Sequence, residues 1–236
     1  IALGHFLKAA LNNTSGTTVL SGTLYNTHFF STQSEFSATA PSQPYTFEVF
    51  RDVTSSHRYA GCVAQRLQLS ASPNDALRMT ASFIGQNASI IAKTTPTFPG
   101  SPLAPFTFDT CSASVGGSAT ARLESIRVTI DNMMEGIPAL NASALIARIR
   151  RRDSQSVTLE GTYDFTDITE YNDFVNQTER AMKFSFIKAN SFFFSMEMPR
   201  VIYTAFPTPV GGRERLVVSW SGKARYQTSS GLAVDF

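Results

Sequence analysis

Apolar and polar residues alternate along most of this chain with the two-residue period of a strand that buries one face. In Leu77-Arg78-Met79-Thr80-Ala81-Ser82-Phe83 the odd positions are apolar, and similar alternation runs through Tyr45 to Asp52, Gly61 to Leu69, Ser125 to Asp131 and Val157 to Phe165. Further strands are predicted at Phe184 and Phe186, at Phe192, Phe194, Met196 and Met198 up to Pro199, at Val201 to Ala205, and at Arg215 to Tyr226. A short strand from Leu232 to Phe236 closes the chain. Two stretches carry the helical period instead. Leu3, Phe6, Leu7, Ala10 and Leu11 predict a short N-terminal helix that stops at Asn12-Asn13. Ile168, Tyr171, Phe174, Val175, Thr178 and Met182 form one stripe behind Asp167, with Glu170 three residues on, which predicts a capped amphipathic helix over about 167–182. The pattern as a whole is mainly β.

Part of it is written twice. Ser125-Ile126-Arg127-Val128-Thr129-Ile130-Asp131 lies over Thr46 to Asp52, with Phe47 on Ile126, Val49 on Val128 and Asp52 on Asp131. The run Leu145 to Arg152, a tip at Asp153 to Ser156, and Val157 to Phe165 then follow the order of Gly61 to Leu69, Ser70 to Asp75, and Leu77 to Phe83. Two copies of a strand, loop and hairpin unit predict two similar β modules in one chain. The first, with the N-terminal segment, occupies 1–95, and the second, with the helix, occupies 119–236. Between them, 96–118 carries Pro96, Pro99, Pro102 and Pro105, which cannot donate to a central ladder, and is the expected linker. Thr14 to Ala40 reads as weakly patterned strands with long loops.

Composition changes the picture little. Charged residues are 16% of the 236, aromatics 11% and mostly Phe, which suits sheet with polar outer faces and argues against disorder. A net charge of +2 is too small to argue for a nucleic-acid binder. Cys62 and Cys111 have no thiol or histidine at metal-ligand spacing and are expected to be reduced and buried. Asn-x-Ser/Thr triplets occur, but no secretory leader pattern accompanies them. The N-terminal helix is too short to span a membrane.

Catalytic signatures are missing. There is no Walker loop, no Gly-x-Gly-x-x-Gly, no Gly-x-Ser-x-Gly and no His-Glu-x-x-His, and His5, His28 and His57 are scattered. The one charge cluster is Arg148, Arg150, Arg151 and Arg152, placed near the tip of the second hairpin, where it would meet phosphates or the acids of a neighbouring subunit. Glu48, Asp52, Arg127 and Asp131 lie opposite the apolar faces of the repeated strands and are candidates for a solvent or lumen surface.

Several blocks, in their order, resemble the tail tube proteins of long-tailed bacteriophages. These are Leu3-Gly4-His5-Phe6-Leu7-Lys8-Ala9-Ala10-Leu11, Tyr45 to Asp52, Tyr59-Ala60-Gly61-Cys62, Asn74-Asp75-Ala76-Leu77 through Phe83-Ile84-Gly85-Gln86, Ile130-Asp131-Asn132, and Glu170-Tyr171-Asn172-Asp173-Phe174 after a Gly-Thr-Tyr-Asp-Phe strand. The resemblance implies a β-barrel or sandwich with a flanking helix, and a structural virion protein without enzymatic activity, metal or cofactor. Its copies would form rings that stack into a hollow tube through which DNA passes without specific binding. Assembly would take place in the host cytoplasm, and the implied partners are further copies, a tape measure protein, and tail terminator or tip proteins, with no membrane. Two modules per chain would close the ring as a trimer with pseudo-sixfold symmetry, the alternative being a hexamer. Because such lumens are expected to be neutral or acidic, Arg148 to Arg152 should face a ring contact or the exterior. A carbohydrate-binding β-sandwich and an outer-membrane β-barrel are the competing readings, the latter weakened by the amphipathic helix.

Overall fold

Strand periodicity becomes fifteen strands, beside two helices, among the residues that the computed structural model describes: 2–19, 26–32, 44–51, 54–97, 105–140, 143, 145–189, 192–207 and 215–225. In chain order these are α1 (Ala2–Leu11), β1 (Asn12–Val19), β2 (Asn26–Thr32), β3 (Tyr45–Phe50), β4 (Ser55–Ala71), β5 (Arg78–Ile84), β6 (Asn87–Ala92), β7 (Cys111–Val115), β8 (Ser118–Thr120), β9 (Leu123–Asp131), β10 (Met134–Ile137), β11 (Arg148–Arg151), β12 (Ser156–Asp164), α2 (Thr169–Val175), β13 (Arg180–Ala189), β14 (Phe192–Ala205) and β15 (Val217–Ala224). The strand expected over 232–236 lies outside the described residues.

Eleven strands form one antiparallel sheet in the order β3-β4-β9-β12-β15-β14-β13-β7-β8, with β5 and β6 both paired to β4. Cross-strand register aligns Leu69, Val128 and Leu159 in one row and Leu67, Ile130 and Val157 in the next, all buried. Tyr163, Tyr203, Trp220 and Phe206 continue this core as a set of ring contacts 5.3–6.3 Å between centroids. Each such side chain contributes roughly 1.5–3 kcal/mol by leaving water. Residues from both halves of the chain belong to a single core cluster, which also takes in Leu7, Ala10 and Leu11 of α1.

The sheet does not close into a barrel. Its path ends at β3 and at β8, and near the gap the turn after β4 is tied to the segment before β7 by an isolated bridge, Ala76 with Thr107. Leu77 N–H donates to Phe106 O at 2.8 Å and Phe108 N–H to Asp75 O at 3.0 Å. Pro199 explains one bend in the path, because it has no N–H for the ladder, and the β13–β14 register shifts between Met198 and Val201. β14 runs on through the bulge instead of ending there. β4 bends at Gly61, whose φ of +66° is costly for other residues, so that its first half pairs with β3 and β6 and its second half with β5 and β9.

The repeated segments do not occupy equivalent places. β3 is an edge strand paired with β4, whereas β9 lies between β4 and β12. The second hairpin expected from Leu145 to Phe165 is not formed: β11 pairs with β10, and β12 pairs with β9 and β15. β9 and β12 are one hairpin, and β10 and β11 continue it beyond Asp131 and Ser156 as a separate ribbon. The span 96–118 is described at 96–97 and 105–118, where it holds a 3-10 turn, Phe108–Thr110, and β7 paired with β13.

The second helix is shorter than its stripe. It ends at Val175 because Gln177 takes φ +54° and its side-chain amide donates to Phe174 O at 2.8 Å, a C-terminal stop of left-handed type. Met182, expected on the helix, is buried in β13.

Candidate assembly surfaces

The outer face of the sheet is built by the other half of the alternation. Gln68, Thr129, Thr158 and Lys223 form one row across β4, β9, β12 and β15, and Ser70, Arg127, Glu160 and Ser221 the next. Short hydroxyl residues suit this pleated surface, and Ser125 and Thr162 join hydroxyls across it at 2.8 Å. Its charges are largely paired between strands. Arg66 Nη2 lies 2.7 Å from Asp131 Oδ2, and Arg127 Nη1 lies 3.3 Å from Glu160 Oε2. None of the large apolar side chains exposed elsewhere lies on these four strands.

Of the residues singled out for such a surface, Arg127 and Asp131 are on this face, with Asp131 also accepting from Met133 N–H at 2.9 Å. Glu48 is exposed on β3, away from them, and accepts from Thr94 N–H at 3.0 Å, the bond that most lowers its pKa. Asp52 lies outside the described residues.

The four arginines are not at a hairpin tip beside β12. Arg148, Arg150 and Arg151 belong to β11, opposite Ile137, Glu135 and Met134 of β10, and Arg152 N–H donates to Met133 O at 2.8 Å. All four are exposed, and among the described residues none makes an ion pair. The loop that joins β10 to β11 also exposes Leu140 and Leu145. The ribbon is therefore apolar at its end and cationic along its stem.

At the other end of β12, α2 docks by a route that sequence periodicity did not reveal. Glu170 and Asp173 are each only 5% exposed, while Ile168 and Val175 of the apolar stripe are 60% and 56% exposed. Arg122 reaches Glu170 at 2.5 Å and Asp167 at 2.8 Å, and Arg180 meets both carboxylate oxygens of Asp173 at 2.8 Å. Only Phe174 of the helix packs on the core. Asp167 is not the cap expected, since Ile168 holds that position without a side-chain cap bond; from one residue earlier it accepts from Thr169 N–H at 2.8 Å, and that bond leads in holding its carboxyl below the usual range. Glu170 turns away from the cap toward Arg122. Beneath them the Tyr163 and Tyr203 hydroxyls meet at 3.2 Å, and burial pushes Tyr163 up to about 12 and raises Tyr203 further. The acidic residues at 170 and 173 share a helix face, but no local pattern ties them to Arg122 or Arg180.

A second buried polar contact holds α1. The Asn132 side-chain amide donates to Ala10 O at 2.8 Å and Ala64 O at 3.1 Å, and its oxygen accepts from Gln155 Nε2 at 2.6 Å. Ala10 O is one of the carbonyls that a helix C-terminus leaves unpaired.

Elsewhere the described residues bring no reactive set together. A half-open pocket of about 440 Å³ is lined mainly by small and apolar side chains with Cys111, whose thiol burial raises to about 11. Among the described residues, no three His, Cys, Asp or Glu side chains converge as a metal would require. Nor is any helix long and apolar enough to cross a membrane.

Against known proteins, a family model described as phage tail tube protein matches residues 2–224. A comparison with curated proteins gave no match.

Proposed function

The chain belongs to the phage tail tube protein family, a family of structural tail components, and from that premise we propose that copies of it join into rings that stack as the hollow tube of a phage tail, with DNA passing through the lumen. The observation that carries this reading is the outer face of the β4-β9-β12-β15 sheet. It is broad and hydroxyl-rich, its Arg66–Asp131 and Arg127–Glu160 charges cancel in pairs, and it presents no large apolar side chain. Such a face offers neither a field of cations that would hold phosphates nor an apolar surface that would seek cover. It suits the wall of a channel through which DNA slides.

Open sheet edges at β3, β6 and β8 offer backbone groups for pairing with neighbouring copies, in keeping with side-by-side association. The number of chains per ring depends on the number of modules per chain. Sequence likeness between the two halves supports three chains, and the sharing of one sheet and one core cluster by both halves supports six. Tape measure, terminator and tip proteins are the further partners of this reading, and its role is mechanical instead of catalytic.

Cryo-electron microscopy of the purified protein tests it. Stacked rings around an open lumen, with Arg127 and Thr158 on the inner wall, are expected, and native mass spectrometry counts three or six chains per ring. A protein that stays monomeric at every concentration, or tubes whose inner wall is made by another surface, would overturn the assignment of the face.

A further inference from the structure

Two surface features of this chain match each other in chemistry and lie too far apart to meet within it. The β10–β11 ribbon leaves the sheet at the Ser156 end of β12, and α2 follows the Asp164 end. The nine residues of β12 put about 30 Å between the two ends at ~3.3 Å per residue. The ribbon presents exposed Leu140 and Leu145 above four arginines that make no ion pair among the described residues, with only Glu135 standing across the ladder from Arg150. α2 presents Ile168, Tyr171 and Val175, which share one side of the helix and are left uncovered because the helix docks through Glu170, Asp173 and Phe174. At the Asp164 end of β12 carboxylates outnumber cations, since Arg122 serves both the half-exposed Asp167 and the buried Glu170, and Arg215 serves both Glu124 and Asp164, whereas beyond the helix Arg200 and Arg225 share Glu179.

We infer that the β10–β11 ribbon of one chain docks on the α2 end of a second copy, leucines on the apolar stripe and arginines against the surplus carboxylates. The occupant is another copy because one chain carries both halves of the match at opposite ends of one strand. A contact between two different patches of identical chains is heterologous, so it repeats from copy to copy and builds a ring or a stack. Charge complementarity sets its direction, and the apolar pairs supply most of its affinity. This contact rests on the tube reading above and adds the surfaces that meet.

Cross-linking between different variants tests it. In a Cys111→Ser background, chains carrying Leu140→Cys are mixed with chains carrying Val175→Cys under oxidising conditions. Disulfide-linked pairs are expected in the mixture and not in either variant alone. Separately, Arg150→Glu and Val175→Glu each lie at exposed positions, and each should raise the protein concentration needed for tubes about tenfold or more. Tubes of the unmodified chain, together with no cross-link in the mixture and no effect of either glutamate, would overturn the contact and leave the tube standing. Cross-links within one variant alone would also overturn it, since they require like surfaces to meet. Failure of the unmodified chain to assemble at all would sink the tube reading and this contact with it.

Discussion

Replacing Arg122 by methionine isolates the interaction that seats α2. The guanidinium bridges Glu170 and Asp167, and Glu170 has only 7% of its side chain in contact with solvent. Arg122→Met keeps much of the stem but leaves a buried carboxylate without its cation, a change that costs about 3–5 kcal/mol. That is a large share of the ~5–15 kcal/mol stability of a typical domain. Arg122→Met with Glu170→Leu removes both charges, so the double variant should recover more than half of the loss. Trp220 is the only tryptophan, and it packs on Tyr163 and Tyr203 just below this pair, so its fluorescence reports equilibrium urea unfolding of the region. Dilute, unassembled protein is required, because assembly would add its own stabilisation. A single variant within about 0.5 kcal/mol of the parent, or a double variant no more stable than the single, would refute the claim that a buried ion pair docks this helix.

The other expectations concern the same core. Phe174→Ala should cost about 2 kcal/mol, less than a fully buried phenylalanine because the ring is only partly buried, while exposed Val175→Ala should change stability by less than about 0.5 kcal/mol; equal losses in urea would show that the whole stripe is docked. Gly161→Ala should cost about 1–3 kcal/mol, since a Cβ there would collide with the Ser125 carbonyl and sit 2.9 Å from Trp220 Nε1; a thermal melt within a degree or two of the parent would contradict the β9–β12–β15 packing. Asp75, Asp167 and Glu179 have pKa values lowered, Asp75 and Glu179 chiefly by side-chain bonds from Arg78 and Arg200 and Asp167 by the Thr169 N–H. Their contribution is therefore complete above the unfolded carboxylate values near pH ~4 and is lost as pH falls through the lower folded values. Urea midpoints that rise on acidification from pH 5 to 3 would reverse that sign.

Strand positions were legible in the sequence because a strand's period is local: every second residue of Leu77 to Phe83 and of Ser125 to Asp131 points the same way whatever lies opposite. The N-terminal helix followed from spacing alone for the same reason, and the order of such blocks sufficed to point to the tail tube family. Periodicity states which residues share a face, not what that face meets. Ile168, Tyr171 and Val175 do share one, yet the fold turns it outward, because Arg122 arrives from the strand side, 48 residues away in sequence, to neutralise Glu170. Pairing is likewise non-local, so the likeness of Tyr45 to Asp52 and Ser125 to Asp131 could not reveal that one becomes an edge strand and the other a central one. Only the tertiary structure decided that the four arginines ride a ribbon continued from β9 and β12, since ladder hydrogen bonds form between whichever backbones the core brings within reach, and side-chain pattern alone carries no record of that choice.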